Sequence, residues 1–307
     1  MKLTTTTADF YRYCRDIYEV LDTFADTPFS YLDMSLYGDF MAPTLRRADY
    51  LDEFQRIREY AENKGLSFVQ SHAPSGNGLK QDEAYDDFIL RTHRSLEACQ
   101  ILGIPTSVLH SGTDGPISME EYFVRNRALY EIFFDTMERT NVSLLIENSM
   151  PANMKDNTFF LYGKEMADFL DWIGHPLLGA CWDTGHANTF TDQYENVSAL
   201  GKHLRAVHIA DNFGKTDDHI APMQGALNLD EVMCALIDNG FDGPFTFEAE
   251  NMIRPMRAWP IYRKKYEPTD GRACLLDSPS KEVRVEAERL LFAIGRQILS
   301  ANDCFEG

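Results

Sequence analysis

The chain has 307 residues and a formal net charge of -19, so a large core is available and the distant field repels phosphate backbones and anionic membrane surfaces. Hydrophobic residues at 44% and charged residues at 25% give the balance of an ordinary globular protein and exclude a disordered or fibrous chain. The six cysteines, Cys14, Cys99, Cys181, Cys234, Cys274 and Cys304, contain no CxxC pair, and the chain has neither an apolar leader nor a run approaching about 18 apolar residues. These features predict a reduced, cytoplasmic protein with no membrane or nucleic-acid partner.

From the N-terminus to about residue 250, short β-rich runs alternate with longer amphipathic segments. That rhythm demands parallel strands joined by crossover helices. The predicted strands are Lys2 to Thr6, Phe29 to Ser35, Leu66 to Ser71, Thr106 to His110, Val142 to Glu147, Leu178 to Asp183, Leu204 to His208 and Phe245 to Glu248. Between them, Leu51, Phe54, Ile57 and Ala61 recur at helical spacing and predict one buried helix face. Ser118-x-x-Glu121 and Asn228-x-x-Glu231 have the order of capping boxes at helix starts.

The last helix is expected to open at Ser278-Pro279 and to bury Val283, Ala287, Leu290, Ile294 and Ile298. Eight strands, each followed by a helix, predict a single (β/α)₈ barrel domain over residues 1–307. An extended connection between the last strand and the last helix, roughly 253 to 280, carries Arg254, Arg257, Trp259, Tyr262, Arg263, Lys264, Lys265 and Arg272. It reads as a lid, a substrate loop or a contact in a homo-oligomer.

In such a barrel the chemistry sits at the C-terminal ends of the strands. Six successive predicted strands end in a metal-ligating residue type: His72, His110, Glu147, Asp183, His208 and Glu248. Carboxylates that close apolar runs, as in Leu144-Leu145-Ile146-Glu147 and Phe245-Thr246-Phe247-Glu248, are severely desolvated unless paired, and a cation resolves that conflict. Mixed imidazole and carboxylate donors suit Mn, Zn, Co or Fe, and Mg less well.

The segments Ser71-His72-Ala73-Pro74, Leu109-His110-Ser111, Leu145-Ile146-Glu147-Asn148, Trp182-Asp183-Thr184-Gly185-His186, Val207-His208-Ile209-Ala210-Asp211, Asp217-Asp218-His219 and Phe247-Glu248 together resemble the xylose-isomerase-like barrel superfamily. For its isomerase and epimerase branch the resemblance implies a metal held by Glu147, Asp183, His208 and Glu248, with both glutamates moving protons beside the carbonyl of a small sugar or hydroxy-carbonyl substrate. It also implies that enediolate charge is stabilised by the metal and that His186 hydrogen-bonds a substrate oxygen. The nuclease branch, with three zincs, is resembled as well, through His72, His110, Glu147, Asp183, His186, His208, Asp217, His219 and Glu248. Ser75 stands where nucleases place a tyrosine, and the acidic balance argues against a zinc phosphodiesterase. A sugar-binding barrel without turnover is the third reading.

The expected substrate-binding arginine after strand seven falls near Gly214 and Lys215, which leaves Lys215 as a candidate contact. His72, His110, Asp217 and His219 are candidates for further metal or substrate binding, against the alternative of packed or surface polar groups. Trp182 alternates away from Asp183 and is expected to pack under a helix, whereas Cys181 shares the face of Asp183 as a small core residue.

Overall fold

The computed structural model describes residues 1–113, 115–154, 159–253, 269–270 and 279–306. Its strands are β1 Leu3–Thr6, β2 Tyr31–Ser35, β3 Ser67–His72, β4 Thr106–Leu109, β5 Ser143–Glu147, β6 Leu178–Asp183, β7 Leu204–Ile209 and β8 Phe245–Phe247. All neighbours pair in parallel, and β8 returns to β1 with Phe245 opposite Leu3 and Phe247 opposite Thr5. The sheet is therefore a closed barrel with no free edge.

The strands are short because each needs to span only the barrel wall. Successive side chains then alternate between the interior and the helical layer. Val108, Leu145, Cys181 and Ala206 form a small interior cluster of their own. Leu144, Ile146, Trp182 and Val207, on the opposite faces, join the large core beneath the helices. Trp182 is fully buried there and its indole N–H donates to Gln193 Oε1 at 2.9 Å. Cys181 takes the interior place expected of it, and burial pushes its thiol up to about 12.

The main helices after the strands are α1 Ile17–Ala25, α2 Tyr50–Asn63, α3 Tyr85–Leu102, α4 Met119–Glu131, α5 Gly163–Ile173, α6 Tyr194–Leu200, α7 Leu229–Asp238 and α8 Lys281–Ala301. Ser118 Oγ accepts from the Glu121 amide, and Asn228 Oδ1 from the Glu231 amide, both at 3.2 Å. In each box the return contact from the glutamate is replaced by another partner, and Glu121 binds Arg125. Glu231 Oε1 instead accepts from the amides of Gln193 and Tyr194 at 2.7 and 2.9 Å, so it satisfies the start of α6. On α2 the buried face is Tyr50, Phe54, Ile57 and Ala61, and Leu51 is turned outward.

Helix α8 departs from its predicted face. It starts at Lys281 behind a Ser280 cap, and Val283 and Leu290 are exposed at 51% and 53%. Ala287 and Ile298 point inward as expected, and Arg284, Glu288, Leu291, Gly295 and Leu299 join them in place of Val283 and Leu290. The reason is a buried ion cluster that apolar periodicity cannot register. Arg284 Nη2 lies 2.7 Å from Asp9 Oδ1 and also binds Glu288, and Thr5 Oγ1 donates to Asp9 Oδ2 at 2.9 Å. Arg284 Nη1 reaches the carbonyls of Ala249 and Glu250 at 3.4 and 3.2 Å, so one side chain ties the last helix to both ends of the seam that closes the barrel. Arg284→Ala is expected to lower unfolding free energy by ~3–5 kcal/mol in urea, because two buried carboxylates lose their cation. The neutral triple variant Asp9→Asn, Arg284→Met, Glu288→Gln should recover most of that loss. A wild-type midpoint for Arg284→Ala would contradict this role.

Most of the predicted basic connection, residues 254–268 and 271–278, lies outside the described residues, as do Ser278 and Cys274. No helix among the described residues is long and apolar enough to cross a membrane.

Candidate active site and metal centre

The parallel register sets neighbouring strand ends side by side: Glu147 opposite Cys181, Asp183 opposite His208 and His208 opposite Thr246. Interior alternation then turns Glu147, Asp183 and His208 toward one axis, and Glu248, just past β8, completes the ring. Each of these four side chains offers one ligating atom, and the four atoms lie within 4.8 Å of one another. His208 Nδ1 is 2.8 Å from Glu147 Oε1 and 3.3 Å from Glu248 Oε1, so the two glutamates meet across a single imidazole. His72, His110 and Glu147 form a second cluster within the same limit, with His110 Nε2 at 2.6 Å and His72 Nε2 at 3.6 Å from Glu147 Oε2.

Asp183 divides its carboxylate between two tasks. Oδ1 accepts the His186 amide at 2.7 Å and caps the short helix Thr184–Asn188, while the buried Oδ2 has no hydrogen-bond partner among the described residues. Asn148 holds that strand end from both sides, accepting from the Asp183 amide at 2.6 Å and donating to its carbonyl at 3.0 Å. A free buried oxygen aimed among two other carboxylates and an imidazole is costly without a cation. The donor set therefore fits a divalent ion, with the mixed nitrogen and oxygen chemistry of Mn, Zn, Co or Fe and, less well, Mg.

Charge within the ring is uneven. Burial raises both glutamates, but the imidazoles of His208 and His110 outweigh it at Glu147 and hold that carboxyl well below its usual range. At Glu248 burial dominates over the pull of His208, the charge on Glu147 adds to it, and the carboxyl is pushed up to about 8. Burial also raises Asp183, with His186 opposing and Asp217 and Glu147 adding to the rise. A metal ion must displace the proton on Glu248. Burial opposes charge on His208, yet Cys181, Glu248 and Glu147 raise it well above its usual value, so this imidazole must give up a proton too, and manganese affinity is expected to rise with pH through about 8, measured by calorimetry in buffers of different ionisation heat. The sign for stability is opposite in the metal-free protein: a raised carboxyl contributes most below about 4.5, and its contribution is lost as pH rises through about 8. Affinity independent of pH between 5 and 8 (a window on the order of three units) would contradict the proton displacement.

A second group stands beside the ring. Burial opposes charge on His186, yet Asp183 and Asp217 raise it to about 10, with Nε2 3.2 Å from Asp217 Oδ2 and Nδ1 2.7 Å from the Asn148 carbonyl. His219 Nε2 shares Asp217 Oδ2 at 2.7 Å, and its Nδ1 lies 3.5 Å from Glu250 Oε2. His72 is buried, which lowers it to about 4, whereas His110 is half-exposed. Lys215 is exposed and is not among the described residues that line the site.

Above the ring lies a cavity of about 260 Å³, and beside it a second of about 320 Å³. Tyr37, His110, Glu147 and His186 line both. Tyr37, 44% exposed, sets its ring 4.8 Å from that of His72 and 5.6 Å from that of His110. Tyr37, Asn148 and Glu250 were not singled out by sequence. Asn148 directly follows a strand-end carboxylate, which is a usable signal, whereas Tyr37 and Glu250 lie in loops without periodicity.

Comparison with known proteins places this geometry in context. Inosose isomerase of Bacillus velezensis is 24% identical over 225 residues, 69% of this chain and 78% of that protein. Two solved structures share the fold at a TM-score of 0.72: a D-psicose 3-epimerase in the presence of D-fructose, 17% identical, covering 97% of this chain and 99% of that one, and an IOLI protein with a bound zinc atom, 18% identical, covering 100% of both. At 31% and 33% identity the chain also matches stretches that span only 50% and 32% of two curated relatives, half or less of their length. The sequence model of the family matches residues 21–266, most of the chain, and the protein belongs to the xylose isomerase-like TIM barrel family.

Proposed function

We propose that this protein is a divalent-metal-dependent isomerase or epimerase of small sugars or related hydroxy-carbonyl compounds, working as a single cytoplasmic domain. The observation that carries the reading is the meeting of Glu147, at the end of β5, and Glu248, just past β8, at His208 of the intervening β7 within a four-ligand ring. The names of two relatives, an inosose isomerase and a D-psicose 3-epimerase, support a ketone-bearing polyol as substrate class. The five described cysteines are unpaired, in keeping with a reducing compartment.

Glu147, Asp183, His208 and Glu248 would hold the ion, which supplies Lewis-acid stabilisation of the negative charge that builds on the substrate's oxygens. The chain's own groups do the rest. Glu147, kept ionised by two imidazoles, would take the proton from the carbon beside the carbonyl, and Glu248, once it has accepted a proton from a substrate hydroxyl or solvent, would return one to the enediolate. His186, held cationic by Asp183 and Asp217, would turn its Nε2–H from Asp217 to a substrate oxygen and fix its position, with Nδ1–H kept on the Asn148 carbonyl. His72, His110, Asp217 and His219 line the same cavity and orient these groups.

The test is incubation of metal-loaded protein with a ketose and inosose panel in D₂O. Deuterium should appear at the carbon beside the carbonyl, and a panel without exchange under every metal would end the isomerase reading. The His72, His110 and Glu147 cluster favours one rival, a zinc phosphodiesterase. About three zincs per chain together with nicking of an abasic duplex would establish that rival. Our reading predicts intact duplex.

A further inference from the structure

The second cavity adjoins the reacting groups through the shared Tyr37, His110, Glu147 and His186, and the reaction just described uses none of its other residues directly. Its own lining beyond the shared residues is Gly76, Asn77, Ser111, Thr113, Asn148 and Ser149, all uncharged and mostly polar. It is a built feature of the fold. Asn77 clasps the loop after β3 to the loop after β4: Nδ2 donates to the Thr113 carbonyl at 2.5 Å, and Oδ1 accepts from the Thr113 and Leu79 amides, both at 3.1 Å. Glycine is required at two points of that clasp. A Cβ on Gly76 would lie 2.1 Å from Phe88 Cδ2, and one on Gly112 would lie 2.4 Å from Leu79 Cγ, so the loops sit tight against their supports and leave the cavity open toward Glu147.

We infer that this lobe binds a second, uncharged, hydroxyl-rich unit of the substrate, so that the enzyme acts on ketose disaccharides or comparable uncharged sugar conjugates in preference to free monosaccharides. The inference rests on the isomerase reading and refines its substrate. The metal lobe, at about 260 Å³, suffices for the reacting sugar alone, and a monosaccharide would leave the adjoining 320 Å³ filled only by water. Hydroxyl and amide groups without charge match the paired donors and acceptors of sugar hydroxyls and offer a phosphate no charge-assisted bond. No lysine or arginine occurs among the described lining residues of either lobe, and the cation of His186, shared by both, already faces Asp217 at 3.2 Å. At the junction, the half-exposed Tyr37 ring offers an aromatic face to the C–H face of a sugar where the two units join. Binding energy from the remote unit can then be used at the reacting carbon.

The experiment compares kcat/KM for solvent deuterium exchange on D-fructose, D-fructose 6-phosphate, lactulose and isomaltulose, using the manganese-loaded full chain and the variants Ser149→Trp and Thr113→Phe. For the native protein, the better disaccharide should exceed D-fructose by about tenfold or more, and both variants should bring that ratio toward one. Equal or lower kcat/KM on the disaccharides, a ratio unchanged in both variants, or a preference for the phosphate would overturn the inference. If no sugar exchanges, the isomerase reading fails by itself, and calorimetric binding of the same sugars decides the lobe. Tighter disaccharide binding that is lost in Ser149→Trp sustains it, and equal or weaker binding overturns it.

Discussion

Glu147→Gln and Glu248→Gln are each expected to lower turnover by about 10²- to 10⁴-fold, the range of a positioned acid or base. The glutamine side chain keeps the volume of the glutamate and can still hydrogen-bond His208 or His110, so the unfolding midpoint should stay near that of the native protein. What it loses is the ability to carry a proton. The loss should fall on kcat more than on KM, because a proton in flight exists only in the transition state. Both variants also remove one charged metal donor, so metal content is measured alongside and assays are run at saturating manganese. Either variant turning over within about threefold of the native protein would remove the two-glutamate mechanism.

Asp183→Asn should abolish metal retention with little harm to the fold. The asparagine keeps an Oδ1 to accept the His186 amide and cap the short helix, but an amide nitrogen replaces the unpartnered Oδ2 that points into the ring. Manganese affinity should fall by more than the ~10–100-fold seen when a group one step removed from a metal is changed. The effect is visible without any substrate. At a manganese concentration of about 100 Kd the native protein gains ~2.7 kcal/mol, a rise of roughly 4 °C in melting temperature for a domain of this size, and the variant should gain close to none. Equal melting shifts in the two proteins would show that the ion sits elsewhere.

The barrel was legible because its strands are short apolar runs separated by amphipathic segments. Observed boundaries of β1 to β8 fall within one or two residues of those expected, and the strand-end carboxylates and imidazoles stand out because they close runs of buried residues. Where the interior is polar the signal is of another kind. Asp33 and Ser35 alternate with Leu32 and Met34 on β2, and Gln70 accepts from Thr246 Oγ1 across the barrel at 3.1 Å, so polar alternation marks the inward face on this side. Burial pushes Asp33 up to about 6 there, against the pull of His208.

Helix α8 was misread for a related reason. Apolar periodicity assigns Arg284 and Glu288 to solvent, and only the matching Asp9, nearly three hundred residues away in sequence, makes their burial tolerable. Long-range pairs of this kind leave no trace in local spacing. The contacts among His186, Asp217, His219 and Glu250 are equally invisible, since they depend on how the loop after β7 folds back over the ring.

The account stands on one cation drawn to four side chains from four strands. Anomalous diffraction from a crystal grown with manganese, recorded near the manganese edge, should show one strong peak within ~2.0–2.4 Å of oxygens or nitrogens of Glu147, Asp183, His208 and Glu248. A map with no peak among those four side chains, or with its only peak elsewhere on the protein, would contradict it.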